Sequence, residues 1–307
     1  MDRTRTYWTG DQLQIVRQAY AKQIAAAAGV TIPNITQAFA AVPREHYLGQ
    51  GPWPVLRGRK YTWTPDADPV YLYTNDIIGI LPRKRINNGQ PSLHALLMAA
   101  ANPRPGDHIV HIGIGSGYYT AILAELTGPS GRVTAIELDN ELAKKAKINL
   151  RSYKNVRVYA GDGTTFAVSN SNVIYVNAGV NYPPPSWLDG LADGGRLILP
   201  LTTEKNFQLS ARLPHSQGAV FCVERRNDIY PTRWVTNVSI IPCAGARDEV
   251  AEHALVKAFT KGNGTSVGGL VRRGDLPEEH CWLRTHNWCL VLDKYWTAAQ
   301  TSYSRLG

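Results

Sequence analysis

The chain has 307 residues, of which 44% are hydrophobic and 19% are charged; this composition supports a sizeable core and excludes a disordered chain. No uncharged apolar run approaches the length of a membrane span, and the N-terminus shows no apolar signal segment. We therefore expect a soluble, cytoplasmic protein without a membrane partner. The formal net charge of +9 favours an anionic partner, but apart from Arg83, Lys84 and Arg85 the basic residues are scattered, so a solvated basic surface is the simpler interpretation.

Residues 1–85 are predicted to form an N-terminal helical cap followed by an irregular arm. Helical spacing of apolar residues marks 11–28, and a second short helix is expected over 34–42. Gly and Pro residues interrupt 49–70, where we predict no regular element. This aromatic segment is either a loop that covers a substrate or a packed structural arm, and we favour the arm.

Residues 86–241 are predicted to be an α/β core, because strands and helices alternate as in a doubly wound, mostly parallel, Rossmann-like sheet. The predicted helices are 91–101, 118–127 and 139–151, the last with Asp139 as N-cap. The predicted strands are 108–112, 132–136, 156–159, 173–176 and 196–199. After Pro200 we expect only strands, added antiparallel at the C-terminal side, over 207–213, 219–225 and 234–241.

Residues 242–307 are predicted to be a C-terminal extension. The pattern indicates a helix over 248–259, a Gly-rich turn and a final hairpin. This extension either covers the site, forms a dimer contact or adds a layer, and the sequence does not choose among these or fix the oligomeric state.

Three glycines, Gly113, Gly115 and Gly117, lie between a predicted strand and a predicted helix. Glycine permits a tight turn and a close approach of ligand to backbone, and the first crevice of a doubly wound sheet is where nucleotides bind. A dinucleotide site requires G-x-G-x-x-G, whereas Tyr118 follows the third glycine here. The spacing is that of S-adenosylmethionine methyltransferases, so a dehydrogenase is disfavoured.

Acidic residues follow the next two predicted strands. Glu137 lies 22 residues after Gly115, where a carboxylate accepts hydrogen bonds from ribose hydroxyls, although dinucleotide sites share this feature. Asp162, in Gly161-Asp162-Gly163, is placed to accept from an adenine amino group, although alone it would suit a turn. Together the three features predict S-adenosyl-L-methionine as cofactor, with S-adenosyl-L-homocysteine as product.

The predicted cofactor contacts are placed around the ends of these strands. Asn177, after the fourth strand, is expected to face the methyl group. His111 is either a packed polar residue or a contact to the amino-acid part of the cofactor. The full predicted set is His111, Gly113, Ile114, Gly115, Ser116, Gly117, Tyr118, Glu137, Leu138, Asp162, Gly163 and Asn177.

The order and spacing of several motifs, from about residue 35 to residue 200, resemble the protein-L-isoaspartate O-methyltransferase family. The resemblance implies that family's fold and carboxyl O-methylation of isoaspartyl peptides or proteins. The motifs that carry it are Val42-Pro43-Arg44-Glu45, Tyr73-Thr74-Asn75-Asp76, Gly113 to Tyr118 with Thr120-Ala121, Gly161-Asp162-Gly163 and Gly194 to Pro200.

The chain departs from the family pattern on the acceptor side. Where the family has T-I-S-Q-P, this sequence has Asn87-Asn88-Gly89-Gln90-Pro91, so the serine that the resemblance assigns to holding the substrate carboxylate is Gly89. The candidate catalytic residues are accordingly Asn87, Asn88, Gly89 and Ser92, with Asn87, Asn88 or Ser92 as replacement donors. Turn formation is the competing explanation for the two asparagines.

Several alternatives stay open for the acceptor. The leading one is a carboxylate of a peptide, a protein or a small molecule, which is ionised at neutral pH and needs no general base. His94 and His111 would serve as bases for a hydroxyl or amine acceptor, although His94 also fits a packed helix face. An RNA methyltransferase, with nucleic acid a less favoured partner, and an inactive cofactor-binding adaptor are the other hypotheses.

No metal is predicted. The four cysteines form no C-x-x-C motif, and the cluster of His280, Cys281, His286 and Cys289 matches no standard zinc spacing.

Overall fold

A computed structural model of the chain describes residues 8–58, 60–204, 218–240, 242–243, 245–273 and 275–297. They fall into two compact units: the first comprises the chain up to 109 together with 114–161, and the second comprises 110–113 together with the chain from 162 onwards. The predicted three-part division at 85 and 241 stays a prediction.

The first unit combines helices with short strands. Its helices are α1 (Gly10–Ala27), α2 (Pro33–Ala41), α3 (Glu45–Leu48), α4 (Pro91–Ala101), α5 (Tyr118–Thr127) and α6 (Asn140–Asn149). Its strands are β1 (Pro54–Arg57), β2 (Lys60–Trp63), β3 (Gly79–Leu81), β4 (Ile86–Asn87), the start of β5 (His108–Ile112), β6 (Arg132–Glu137) and β7 (Val156–Ala160). The order β5-β6-β7 is continuous, and β6 and β7 pair in parallel.

Local chemistry fixes where these helices begin. Thr9 and Gln12 form a reciprocal capping box at the start of α1. Asp139 caps α6 as predicted, because its carboxylate accepts from the backbone N–H groups of Glu141 and Leu142. The starts of α1 and α6 therefore follow from residues that satisfy the otherwise unpaired N–H groups of the first turn.

The N-terminal helices pack onto α5 through aromatic side chains. Tyr20 of α1 and Phe39 of α2 are 2% and 1% exposed; the Phe39 ring lies against Tyr118 and Tyr119 at the start of α5, and the Tyr20 ring lies against Phe39. The Tyr20 and Tyr118 hydroxyls are 3.3 Å apart. This cluster seats the N-terminal cap on the helix that follows the glycine loop.

The prediction that 49–70 contains no regular element is wrong. β1 and β2 form an antiparallel hairpin with Pro54 opposite Trp63, and a short 3₁₀ turn covers Pro69–Leu72. The hairpin closes at Gly58, whose φ of +61° suits a tight turn, while Val55 in β1 and Tyr61, Thr62 and Trp63 in β2 are residues that favour strands. The Pro and Gly residues thus lie at the ends of the strands and do not prevent strand formation.

The second unit is dominated by strands. Besides the end of β5 it contains β8 (Ser171–Val176), β9 (Leu191–Thr202), β10 (Gly218–Glu224), β11 (Tyr230–Asn237), β12 (Val267–Val271), β13 (Cys281–Arg284) and β14 (Cys289–Leu292), with helices α7 (Pro185–Asp189) and α8 (Glu249–Thr260). Its strand order is β13-β14-β12-β11-β10-β9-β8-β5. β8 and β9 are parallel, and antiparallel pairing begins between β9 and β10.

The predicted fold class, a mostly parallel Rossmann-like core with antiparallel strands added at the C-terminal side, is confirmed. The strand predicted over 234–241 is observed as β11 at Tyr230–Asn237, and the one predicted over 207–213 lies outside the described residues. Within the described ranges, no helix has the length and apolar character needed to cross a bilayer.

A buried guanidinium organises the chain just before α4. Arg44 is 0% exposed and donates to the backbone oxygens of Leu72, Thr74 and Asp76 at 2.6–3.0 Å. It also donates to Oδ1 of Asn88 at 3.0 and 3.3 Å. Since a buried charge is tolerated only when its donors are paired, Arg44 joins three separate segments of the first unit.

Replacing Arg44 with Met is expected to destabilise the protein by about 3–5 kcal/mol, because a set of buried oxygens loses its charged donor. The measurement is the free energy of unfolding in urea, compared with wild type. The control is Arg157→Met, at an exposed position, which is expected to change stability by about 0.5 kcal/mol or less. A loss below about 1 kcal/mol for Arg44→Met would contradict the central role of this side chain.

Candidate active site

The glycine loop of the first unit has a backbone that side chains rarely adopt. Gly115 and Gly117 have φ values of +57° and +96°. A Cβ at Gly117 would also lie 2.8 Å from Cδ1 of Leu150. Gly117 is therefore required both by its left-handed conformation and by the close packing at the start of α5.

Glu137, at the end of β6, closes onto this loop. Its Oε2 accepts from the Gly115 N–H at 2.7 Å, and its Oε1 accepts from the Asp139 N–H at 3.0 Å. The side chain is 8% exposed, and burial raises the pKa of Glu137, while the backbone N–H donors oppose that rise. Leu138, the next residue, is 51% exposed.

This arrangement fits a nucleoside. Each carboxylate oxygen of Glu137 has a further lone pair, so both can accept from vicinal hydroxyls while keeping their backbone donors. Among the described residues, a Cβ at Gly115 would lie within 4 Å of Ile80 Cδ1 alone, at 3.4 Å, so the space beside this glycine is open. Ser116 Oγ is buried and has no hydrogen-bond partner within the described part of the chain, which is typical of an atom that a bound molecule satisfies.

Two of the predicted loop contacts are packed inward. Tyr118 is 1% exposed and belongs to the aromatic cluster with Tyr20, and Ile114 is 4% exposed. Side-chain contacts from these two residues to a cofactor stay a prediction, and any contribution of their backbone is independent of this packing.

In the second unit, Gly113 and Asn177 are in contact. The Asn177 side-chain amide donates to the Gly113 carbonyl at 3.3 Å, and its backbone N–H donates to Ile112 O at 2.8 Å. A Cβ at Gly113 would lie 3.1 Å from Asn177 O, and φ there is +77°. The end of β8 therefore depends on a glycine at position 113.

Asp162 serves a turn and also meets the C-terminal extension. Its Oδ1 accepts from the backbone N–H and the hydroxyl of Thr164, at 2.9 and 2.8 Å. A Cβ at Gly245 would lie 2.5 Å from its Oδ2. Gly163 in turn lies against Ile112, with a Cβ position 2.5 Å from Cγ2. The contact with the extension was not foreseen from sequence, because a single glycine in a loop carries no signal of it.

His111 is completely buried, with its ring edge-on to Tyr175 at 5.3 Å between centroids. Burial lowers the pKa of His111 to about 3, so the imidazole is neutral at physiological pH. A group with so low a pKa is a weak base, so His111 is poorly suited to deprotonate a hydroxyl or amine acceptor.

Asn87, Asn88 and Ser92, the polar side chains predicted to face the methyl acceptor, all have structural partners. Asn87 Oδ1 accepts from the Gly89 N–H at 2.8 Å, which is the turn expected as the competing explanation. Asn88 is 5% exposed and its Oδ1 accepts from Arg44. Ser92 is paired with Asn75, as its N–H donates to Oδ1 and its hydroxyl accepts from Nδ2, both at 2.9 Å. Their role as donors to an acceptor stays a prediction.

Sequence reasoning missed the roles of Arg44 and Asn75. Both lie in motifs that carried the family resemblance, which was the available signal, but a sequence does not show that an arginine is buried or that an asparagine caps a distant helix. Asn75 supplies the first turn of α4 with an acceptor that the N-cap residue, Gln90, does not.

The described residues contain no group of three or more His, Cys, Asp or Glu side chains arranged to hold a metal ion. Cys222, Cys243, Cys281 and Cys289 form no disulfide bond.

Comparison with known proteins identifies the family. The family model for protein-L-isoaspartate (D-aspartate) O-methyltransferase matches residues 17–239. The protein-L-isoaspartate O-methyltransferase of Aeropyrum pernix is 32% identical over 209 residues, covering 64% of this chain and 72% of the relative. That of Ignicoccus hospitalis is 33% identical over 184 residues, covering 57% and 77%.

Two solved structures share the fold. A protein-L-isoaspartate O-methyltransferase aligns with a TM-score of 0.62 at 24% identity, covering 78% of this chain and 69% of its own. A Plasmodium falciparum structure, titled a putative enzyme of the same name in complex with S-adenosyl-L-homocysteine, aligns with a TM-score of 0.57 at 15% identity, covering 74% and 97%. Since the family model spans more than half of the sequence, the chain belongs to the protein-L-isoaspartate (D-aspartate) O-methyltransferase family, whose members are S-adenosylmethionine-dependent O-methyltransferases.

Proposed function

We propose that this enzyme methylates the carboxylate of an isoaspartyl residue in a peptide or protein, with S-adenosyl-L-methionine as methyl donor. The observation that carries the proposal is the Glu137 carboxylate held against the Gly115 N–H at 2.7 Å, in a loop where the space beside Gly115 is open. Membership of the family supports the same cofactor and reaction class.

S-Adenosylmethionine supplies a methyl group already activated by its sulfonium. We assign the ribose hydroxyls to Glu137, the adenine amino group to Asp162, and the amino-acid part to the backbone of 113–117 and the N-terminus of α5, where the helix dipole favours a carboxylate. The acceptor carboxylate is ionised at neutral pH, since its pKa is roughly 4. The protein therefore has to align the acceptor and exclude water, and no general base is needed.

Two ion pairs among the described residues weigh against the nucleic-acid alternative. Lys84 pairs with Asp139 at 2.7 Å, and Arg57 pairs with Asp76 at 2.9 Å, so two of the basic residues around the acceptor-side loop are already matched by carboxylates. A small-molecule carboxylate is the second candidate acceptor. We place the enzyme in the cytoplasm, which is consistent with cysteines that form no disulfide bond.

Replacing Glu137 with Gln is expected to weaken cofactor binding by about 10- to 100-fold, because a charged acceptor is worth more than a neutral one and one oxygen is lost. The measurement is the Kd of S-adenosyl-L-homocysteine by calorimetry. Glu141→Gln is the matched control, since that side chain is 79% exposed. A Kd for Glu137→Gln equal to that of the control would refute the ribose assignment.

Cofactor affinity is also expected to depend on pH through Glu137. Burial raises the pKa of this carboxyl, so on acidification it gains a proton at a higher pH than an exposed glutamate does. The protonated form has less acceptor capacity, and affinity for S-adenosyl-L-homocysteine falls as the pH drops through the raised pKa. Calorimetry across this range should show the fall in wild type and a flat profile in Glu137→Gln; equal slopes would assign the titration to another group.

The acceptor is tested with tritiated S-adenosylmethionine and an isoaspartyl peptide, with the matching aspartyl peptide as control. We expect base-labile volatile label from the isoaspartyl peptide alone, because only a methyl ester releases methanol in base. Label on small carboxylates but not on the peptide would favour the second candidate. Binding of S-adenosyl-L-homocysteine without transfer to any acceptor would support the inactive adaptor.

A further inference from the structure

The space beside Gly89 is already filled. A Cβ at this position would lie 2.5 Å from Nε2 and 3.1 Å from Cδ2 of His94. The φ of Gly89 is +73°, a conformation that side chains rarely adopt. The loop therefore excludes a side chain at position 89 twice, by its backbone and by the imidazole that lies where the side chain would begin.

His94 is held in this place by its ring. It is 2% exposed and stacks on Tyr119, with centroids 3.5 Å apart and planes inclined by 14°. The Tyr119 hydroxyl donates to Gly89 O at 3.4 Å, so the same tyrosine contacts both the histidine and the loop. Gly89, His94 and Tyr119 thus each contact the other two.

The loop on the other side of Gly89 is equally constrained. Asn88 is fixed by the buried guanidinium of Arg44, and the Gly89 N–H donates to Asn87 Oδ1 at 2.8 Å. The start of α4, which carries His94, is held by the pairing of Ser92 with Asn75. The position of Nε2 relative to Gly89 is therefore set by the fold and does not depend on a mobile side chain.

We propose that His94 replaces the side chain that Gly89 lacks, and that its imidazole is the specificity-determining group for the acceptor carboxylate. The proposal rests on the function proposed above, which makes the 87–92 loop the acceptor side. An imidazole nitrogen donates or accepts a hydrogen bond according to its tautomer, so it supplies the polar atom that a hydroxyl at position 89 would supply. Its burial strengthens such a bond by excluding water.

A double-mutant cycle on stability tests whether His94 occupies the space that a side chain at position 89 would need. Gly89→Ser alone is expected to destabilise, because the new side chain meets the imidazole as well as the unfavourable φ. In Gly89→Ser/His94→Ala the imidazole is gone, so the unfolding equilibrium constant should be about 10-fold more favourable to the native state than the two single effects predict. Strictly additive effects in this cycle would show that it does not, whatever the substrate.

The role in acceptor selection is tested by a matched pair at position 94. His94→Leu has a similar volume and no polar atom, whereas His94→Gln keeps an amide near the position of Nε2. We expect Leu to raise the KM for the isoaspartyl peptide about 10-fold with little change in kcat, and Gln to remain within about threefold of wild type. The Kd of S-adenosyl-L-homocysteine should be unchanged in both, which separates this role from a general loss of structure. An unchanged KM in His94→Leu overturns the proposal.

Failure of the proposed function gives a different result. If wild type binds S-adenosyl-L-homocysteine but methylates no isoaspartyl peptide, the assay is repeated on Gly89→Ser/His94→Ala. Transfer gained by the double variant would support His94 as the group that redirects the site to another carboxylate. No transfer, with the double variant folded and binding S-adenosyl-L-homocysteine, would overturn it.

Discussion

The 87–92 loop, which we propose faces the methyl acceptor, depends on the buried positive charge of Arg44. The guanidinium of Arg44 cannot lie in the interior unless its donors are paired, and its partners are three backbone oxygens of 72–76 and the side chain of Asn88. Because these partners belong to segments distant in sequence, pairing the charge forces them together. Because Asn88 is fixed, the adjacent Gly89 is fixed as well, and this position places Gly89 against His94.

At the predicted cofactor loop the buried charge is negative, and backbone N–H groups stabilise it. Glu137 is a buried carboxylate, and burial alone would favour its neutral form, as the raised pKa shows. The N–H groups of Gly115 and Asp139 offset part of that cost by donating to its two oxygens. The same two bonds aim the carboxylate across the glycine loop. The interactions that make the buried charge tolerable thus also orient the carboxylate that we propose accepts from the ribose hydroxyls.

The core of the fold and the cofactor loop were predictable from sequence because their signals are local. Alternating strands and helices, three glycines at a strand end and Asp139 before a helix each depend on a few adjacent residues. The β1–β2 hairpin was missed because its Pro and Gly residues were interpreted as breakers when they define its start and its turn. Arg44 and Asn75 were noted as motif residues, but their hydrogen bonds reach across the chain, and local patterns carry no information on such pairings.

The most informative departure from the family pattern also escaped local reasoning. Loss of a side chain at position 89 was interpreted as loss of a polar group, to be restored by a neighbour in the loop. In the structure, Asn87 accepts from the Gly89 N–H in a turn and Asn88 accepts from the buried Arg44. Ser92 donates its N–H to Asn75 at the start of α4. The residue that contacts Gly89 is His94 of α4, and its imidazole is so close that a Cβ at position 89 would not fit. A close-packed interior does not leave the space of a missing side chain empty. A glycine in an otherwise polar motif is therefore better explained by the neighbouring side chain that occupies this space than by the loss of a polar group.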